Sequence, residues 1–236
     1  MNLQRLDKII SLSLGVSRSE ARKIIRYGKT QVDGKVIREP SFTLDPSGCE
    51  ITHRGKRIEY KEHIYLIMNK PSGVLSASED KARQTVVDLV PDSLKRRSLS
   101  PVGRLDRDTT GLLLLTDDGD FAHSVIHPKK NIYKTYLVSL DGEVTDGMSE
   151  SFKNGVVLAD GTKCKSAVPK RVSTNTAEIK ISEGRYHQIK RMFGTENLGV
   201  NALKRTAIGG LLLPDNLAVG ECRELSNDEI KRIFNN

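Results

Sequence analysis

Gly103-Arg104-Leu105-Asp106-Arg107-Asp108-Thr109-Thr110-Gly111-Leu112-Leu113-Leu114-Leu115-Thr116 is the stretch around which the rest of the chain organises. Two carboxylates and two guanidiniums fall within five positions, and four consecutive leucines follow. A run that is apolar at every position has no solvent face, so it predicts a strand buried on both sides with a charged loop at its start. Loops anchored on buried strands often carry catalytic groups. The same loop also reads as a solvated turn whose ions pair loosely, since exposed pairs are common and worth little. Composition alone leaves both readings open.

Working outward, Ile64-Tyr65-Leu66-Ile67-Met68 upstream is a second strand-sized apolar run. Downstream come a turn at Asp118-Gly119, a helix around Phe121 to Ile126 and a strand over Lys134 to Leu140. Asp160-Gly161 marks a hairpin, and Ala177 to Ile181 alternates as a half-buried strand. Ser226-Asn227-Asp228-Glu229 is a capping box opening a last helix with Ile230 and Ile233 on one face. Strands predominate without regular strand–helix alternation, which predicts an α+β domain on a mostly antiparallel sheet.

The 236 residues are 37% hydrophobic and 29% charged with a net charge of +8, enough for one or two cored domains. No run approaches the roughly 18 apolar residues of a membrane span. The Met1 to Asp7 stretch mixes acids and bases in an amphipathic pattern, unlike a secretory signal or transit peptide, so a cytoplasmic, non-membrane protein is expected. Cys49, Cys164 and Cys222 lie far apart without a Cys-x-x-Cys, which argues against a disulfide framework or zinc site and predicts small core residues.

Charge is unevenly placed. Residues 1–60 hold 12 Lys and Arg against 7 Asp and Glu, while residues 61–236 hold 26 against 23. That asymmetry predicts a small basic module, residues 1–60 with its linker, joined to a nearly neutral body over 61–236. Such a module either meets phosphate or serves as a solvated face. Leu3, Leu6, Ile10 and Leu14 recur at helical spacing and Gly15 follows as a stop, predicting a helix over 3–14. Ser17-Arg18-Ser19-Glu20 is a capping box for a second helix carrying Ile24 and Ile25 inward and ending near Gly28. Arg18, Arg22 and Arg26 form one guanidinium stripe, self-repelling unless something anionic lies across it. Thr30 to Val36 predicts a hairpin turning at Asp33-Gly34, and residues 54–62 read as a polar linker.

Two further stretches place aromatic and basic groups together, as a site for an unstacked base requires. They are Tyr133-Lys134-Thr135-Tyr136 and Glu183-Gly184-Arg185-Tyr186-His187-Gln188-Ile189-Lys190-Arg191-Met192-Phe193. Tyr136 also reads as a core strand residue, His187 as a structural histidine, and Lys190 and Arg191 as the wet side of an amphipathic helix.

The elements Arg5-Leu6-Asp7-Lys8, Ser17 to Ala21 and Val32 to Val36 resemble the RNA-binding domain named after ribosomal protein S4. The resemblance covers about residues 3–48 and implies docking on structured RNA, with Arg5, Arg18, Arg22, Arg26 and Lys29 as the contacts. The 103–116 stretch, the two aromatic–basic stretches and Asn69-Lys70-Pro71-Ser72-Gly73-Val74 resemble the motifs of the RsuA family of RNA pseudouridine synthases. This second resemblance covers essentially the whole chain. It implies a small S4-like α/β domain plus a larger synthase domain on a mixed, mostly antiparallel sheet with flanking helices. It also implies isomerisation of uridine in ribosomal RNA with no cofactor and no metal, by a monomer.

Carried over position by position, Asp106 matches the catalytic aspartate. Lys190 matches the basic residue that pairs with it, with Arg191 as second choice and a point charge in place of a fork. Tyr136 matches the tyrosine under the target uracil, proposed to help remove the C5 proton. Arg104 matches the residue that displaces the flipped base. Arg107, Arg185, His187, Gln188 and Arg191 are the remaining expected substrate contacts. The implied reaction flips the uridine out, breaks N1–C1′ through Asp106 as nucleophile or as base at the 2′ position, and rejoins at C5. Tyr186 to Ile189, Leu203-Lys204-Arg205, Ile208-Gly209-Gly210 and the lack of a basic tail after Asn236 resemble the small-subunit branch. Other readings are a large-subunit enzyme of the same family, a non-catalytic ribosome-assembly protein, and a methyltransferase with the same first module. The last lacks a Gly-rich loop after a strand, and a binding protein gains nothing from an acid facing phosphate.

Overall fold

The computed structural model describes residues 3–96 and 98–235, so the residues Met1, Asn2 and Asn236 used in reading the two ends lie outside the described set. Two compact units form, one running to Ile64 and including Ser93–Ser98, the other comprising Tyr65–Asp92 and Leu99 onward. The two units divide at 64/65, and one later segment belongs with the first unit.

In the first unit, β1 (Gln4–Arg5) leads into α1 (Leu6–Leu14), which ends where Gly15 turns left-handed. The apolar spacing extended the expected helix back to residue 3, but residues 4–5 pair instead with β4 (Thr43–Leu44). The capping box forms as read: Ser17 accepts from the Glu20 amide, Glu20 reaches back, and α2 (Arg18–Arg26) follows. The strands β2 (Thr30–Val32), β3 (Lys35–Val36), β5 (Ile51–His53) and β6 (Lys56–Arg57) make a sheet in the order β3-β2-β5-β6. Its first hairpin turns at Asp33-Gly34, both with positive φ. The expected linker is corrected here. Arg54 and Gly55 also take positive φ and close the β5–β6 hairpin, a turn signal hidden by the polarity of its flanks. Leu6, Ile9, Ile10, Ala21, Ile25, Val32, Leu44 and Ile51 form the core.

The second unit is built on β7 (Tyr65–Lys70), β8 (Ser100–Pro101), β9 (Thr110–Thr116), α3 (Gly119–Ile126), β10 (Lys134–Leu140), α4 (Asp146–Lys153), β11 (Lys170–Ser173), β12 (Thr176–Ile181), α5 (Gln188–Gly194), β13 (Val200–Ile208), β14 (Leu211–Leu212), β15 (Cys222–Glu224) and α6 (Asn227–Ile233). Seven strands run in the order β11-β12-β10-β13-β9-β7-β15, with β14 on β13 and β8 on β9. Every pairing is antiparallel except β9 with β13. The sheet is mixed and mostly antiparallel, as expected.

The leucine run is the buried heart of this sheet. Leu112 and Leu114 pack with Ile67, Ile208, Val125 of α3 and Ile233 of α6, and Leu113 and Leu115 are buried too. Gly111 lets β9 approach β13: its φ is +96° and an added Cβ would stand 2.2 Å from the Arg205 carbonyl oxygen. Asp118 caps α3 by accepting from the Phe121 amide, and the Ser226 box caps α6. The expected hairpin at Asp160-Gly161 is reduced to one bridge, Val157 with Lys163. Cys164 is buried, but Cys49 and Cys222 are half-exposed. Among the described residues no helix is long and apolar enough to cross a membrane.

Candidate active site

The loop before β9 is fixed from three sides. Leu105 and Ser76 exchange two hydrogen bonds, with Ser76 Oγ donating to the Leu105 carbonyl at 2.9 Å and accepting its amide at 3.1 Å. Gly73 donates to the Arg107 carbonyl, and Arg107 Nε returns a bond to Gly73 at 3.1 Å. Beneath them Lys70, fully buried, donates to the carbonyls of Pro71, Arg107 and Thr109 at 3.0–3.2 Å. Its three protons are all placed. Burial pulls its pKa down to about 8, against the attraction of Asp108 and Asp106. The sequence reading assigned Lys70 no role, although a lysine closing an apolar strand is itself a signal.

The second wall comes from the start of α5. His187 sits left-handed, with φ at 49°, just before the helix. It brings Nε2 to 3.6 Å from Asp106 Oδ1, and the exposed Tyr186 ring stacks on the imidazole at 3.9 Å. One turn on, Lys190 Nζ lies 4.0 Å from Asp106 Oδ2 but bonds both oxygens of Asp108, at 2.7 and 2.6 Å. Lys190 thus stands between two carboxylates, at ion-pair distance from Asp106 and in direct hydrogen bonds with Asp108. Two carboxylates two positions apart flank one ammonium, and the nearer takes it, which holds the Asp108 carboxyl below its ordinary range.

The third wall is the sheet. Tyr136 in β10 is buried between β12 and β13, and Arg205 Nη1 donates to its hydroxyl at 3.4 Å. Arg205 is anchored by Nε on the Leu112 carbonyl at 2.7 Å, and its guanidinium carbon lies 5.9 Å from the Tyr136 ring centre. A cavity of about 80 Å³ opens between the walls, lined by Asp106, Arg104, Tyr136, Arg185 and His187, with Thr109, Ile181 and Leu203 among its other residues. Thr109 Oγ1 is buried there without a partner. Sequence reasoning missed Thr109, Ile181, Leu203 and Arg205; the apolar pair follows from strand alternation only once the strand pairing is known.

Three expected substrate contacts are otherwise engaged. Gln188 lines the cavity but is buried and braces the loop, accepting the Arg185 amide and donating to Glu183. Arg191 pairs with Asp160 at 2.6 Å, which holds that carboxyl at about 2. Arg107 points its Nε at Gly73. Neither arginine lines the cavity. In the first unit, Arg5, Arg18 and Arg22 converge on the buried carboxylate of Asp7 at 2.6–3.2 Å, so the guanidinium stripe has an internal anion across it. Arg26 and Lys29 are exposed.

The chain is similar to known proteins over most of its length. Residues 64–195 match the RNA pseudouridylate synthase family and residues 4–48 the S4 domain. An uncharacterized RNA pseudouridine synthase of Bacillus subtilis is 41% identical over 230 residues, covering 96% of each chain. Ribosomal small subunit pseudouridine synthase A of Escherichia coli is 38% identical over 231 residues, covering 97% of this chain and 99% of its own. A crystal structure described as a pseudouridylate synthase superposes with a TM-score of 0.69 at 35% identity, covering 97% of this chain and 99% of that one.

Proposed function

We propose, since the chain belongs to the RNA pseudouridine synthase family and carries an S4 domain, that it isomerises one uridine of 16S ribosomal RNA. The observation that carries the reading is Asp106 at a small cavity walled by the Tyr136 ring, with His187 and Lys190 beside the carboxylate. The small-subunit choice is supported by the Escherichia coli relative at 38% identity. The protein acts as a cytoplasmic monomer that needs no cofactor, residues 1–60 docking on the RNA and residues 61–236 performing the chemistry.

A base stacked in a helix cannot reach this cavity, so the uridine swings out at a cost of a few kcal/mol. Arg104, at the cavity's edge, fills the gap it leaves. Asp106 faces the ribose and drives cleavage of N1–C1′. Lys190 places positive charge beside it, Asp108 fixes that ammonium, and the His187 imidazole stands 3.6 Å from the carboxylate. The freed uracil stays against Tyr136, with Ile181 and Leu203 as apolar walls, and turns until C5 meets C1′. The new C–C bond forms, and the C5 proton is lost with the Tyr136 hydroxyl assisting its removal.

The test incubates the protein and Asp106→Asn with unmodified 16S and 23S RNA and with partly assembled subunits, then maps pseudouridine by carbodiimide labelling and primer extension. The expected result is one Asp106-dependent stop in 16S RNA, with RNA affinity of the variant within a few-fold. A stop in 23S RNA would overturn the substrate, and binding without any stop would favour an assembly protein.

A further inference from the structure

A second cavity, of about 500 Å³, also has Tyr136 in its lining, and no step above uses it. It lies within the second unit, between α3 with the His127-Pro128 turn on one side and β10 and β13 on the other. Arg104, Tyr136 and Gly184 line both cavities, so a strand with one nucleotide at Asp106 has its neighbour within reach of this one. The size is that of a small-molecule site.

Its lining is apolar at Val102, Val125 and Ile208, and cationic at Arg104, Lys134 and Arg205. Arg205 is buried, yet its Nη2 has no partner. A buried donor left unmade is costly, so the arrangement fits an acceptor that arrives from outside. Lys134 donates to the carbonyls of Val125 and Ile132 and keeps a third proton. Burial, and then the charge of Arg205, pulls its pKa down to about 8. Among the described lining residues Glu183 is the one carboxylate, and it is engaged by the Lys165 amide, Arg185 and Gln188. His123 and His127 stand edge to face at 4.8 Å on the α3 side, and His127 Nδ1 accepts from the Lys129 amide, which leaves Nε2 as the donor.

We propose that this cavity holds a second ribonucleotide of the substrate strand, next to the uridine at Asp106, with its oxygens accepting from Arg205 and Lys134 and its base against the apolar wall. The site rests on the reading of the chain as acting on RNA and adds a contact that positions the strand beside the target.

The test titrates the full-length protein with uridine 5′-monophosphate, with 5′-phosphorylated diuridylate and with inorganic phosphate. Calorimetry gives affinity, and the imidazole proton signals of His123 and His127 report on this cavity. The dinucleotide is expected to move both signals and to bind about tenfold or more tighter than the mononucleotide, because its second unit binds intramolecularly. Ile126→Trp, which fills the cavity mouth from a half-exposed position without altering charge, and Lys134→Met are each expected to cut that advantage to about threefold or less. A dinucleotide that binds no tighter, unmoved imidazole signals, an advantage that survives both variants, or phosphate alone reproducing the shifts would overturn the proposal. No turnover is needed, so failure here is distinct from failure of the pseudouridine mapping.

Discussion

Asp7 is fully buried, yet its carboxyl is held at about 2. Burial alone would push it up; the hydrogen bonds from Arg5, Arg18 and Arg22 win. A carboxyl depressed in the fold stabilises it fully above its unfolded value of 3.8, and the contribution disappears as pH falls through 2. The window between them is worth about 2 kcal/mol. Asp7→Asn is therefore expected to weaken the first unit at neutral pH and to flatten its stability between pH 5 and pH 2.5, read by urea unfolding. A variant as acid-sensitive as the parent would show that the triad is not coupled to folding. Lys70 makes the second prediction at this scale. Lys70→Met removes three bonds to loop carbonyls and leaves those acceptors buried, at about 1–3 kcal/mol each where no water enters. Since these bonds set the Asp106 loop and touch no RNA, kcat is expected to fall by about tenfold or more while RNA affinity stays within a few-fold. Equal losses in both would make Lys70 a simple folding residue. Neither group was legible in its role. Asp7 looks like an ordinary surface ion in sequence, Lys70 is marked only by closing an apolar strand, and long-range packing alone reveals what surrounds them.

Gly111 is where one element depends on one missing methyl group. Gly111→Ala sets a Cβ 2.2 Å from backbone that cannot yield, at a φ of +96°. It is expected to destabilise the second unit by about 3 kcal/mol or more and to lower Tm and activity together, because Arg205 pairs with Gly111 across that β9–β13 contact and the Asp106 loop runs straight into it. An unchanged Tm would mean the two strands can separate locally without cost. Elements set by local chemistry were readable: β10 spans Lys134–Leu140 as expected, the alternating Ala177–Ile181 run lies in β12, and both serine boxes cap their helices. Elements set by partners were not. The parallel β9–β13 pairing brings residues 110 and 204 together, and no local pattern encodes that. The Lys190–Asp108 pair has the same cause, since a motif names which residues meet but not which of two carboxylates wins. The left-handed His187 was hidden too, because its conformation follows from Glu183 and Gln188 closing the turn across it.

At the scale of the whole molecule the charge excess lies where the sequence placed it, but part of it is neutralised internally. Three guanidiniums share one Asp7 carboxylate, so the triad presents a net of two positive charges, with each arginine about half exposed. Arg26 and Lys29 stand outside that network. RNA affinity should fall with salt in proportion to the phosphates contacted, by up to about 0.9 in log–log slope for each. Replacing Arg26 and Lys29 by Ala is therefore expected to reduce the slope by up to about 1.8 without changing stability. Replacing Arg18 and Arg22 removes phosphate contacts and also strips Asp7 of partners, so their effect on binding is separable only in an Asp7→Asn background, where no buried charge is left uncompensated. In that background the slope should again drop while the folded fraction holds. If both pairs leave the slope unchanged at equal fold stability, the first unit's basic face makes no phosphate contacts, and the salt dependence must come from the cations around Asp106 and Tyr136.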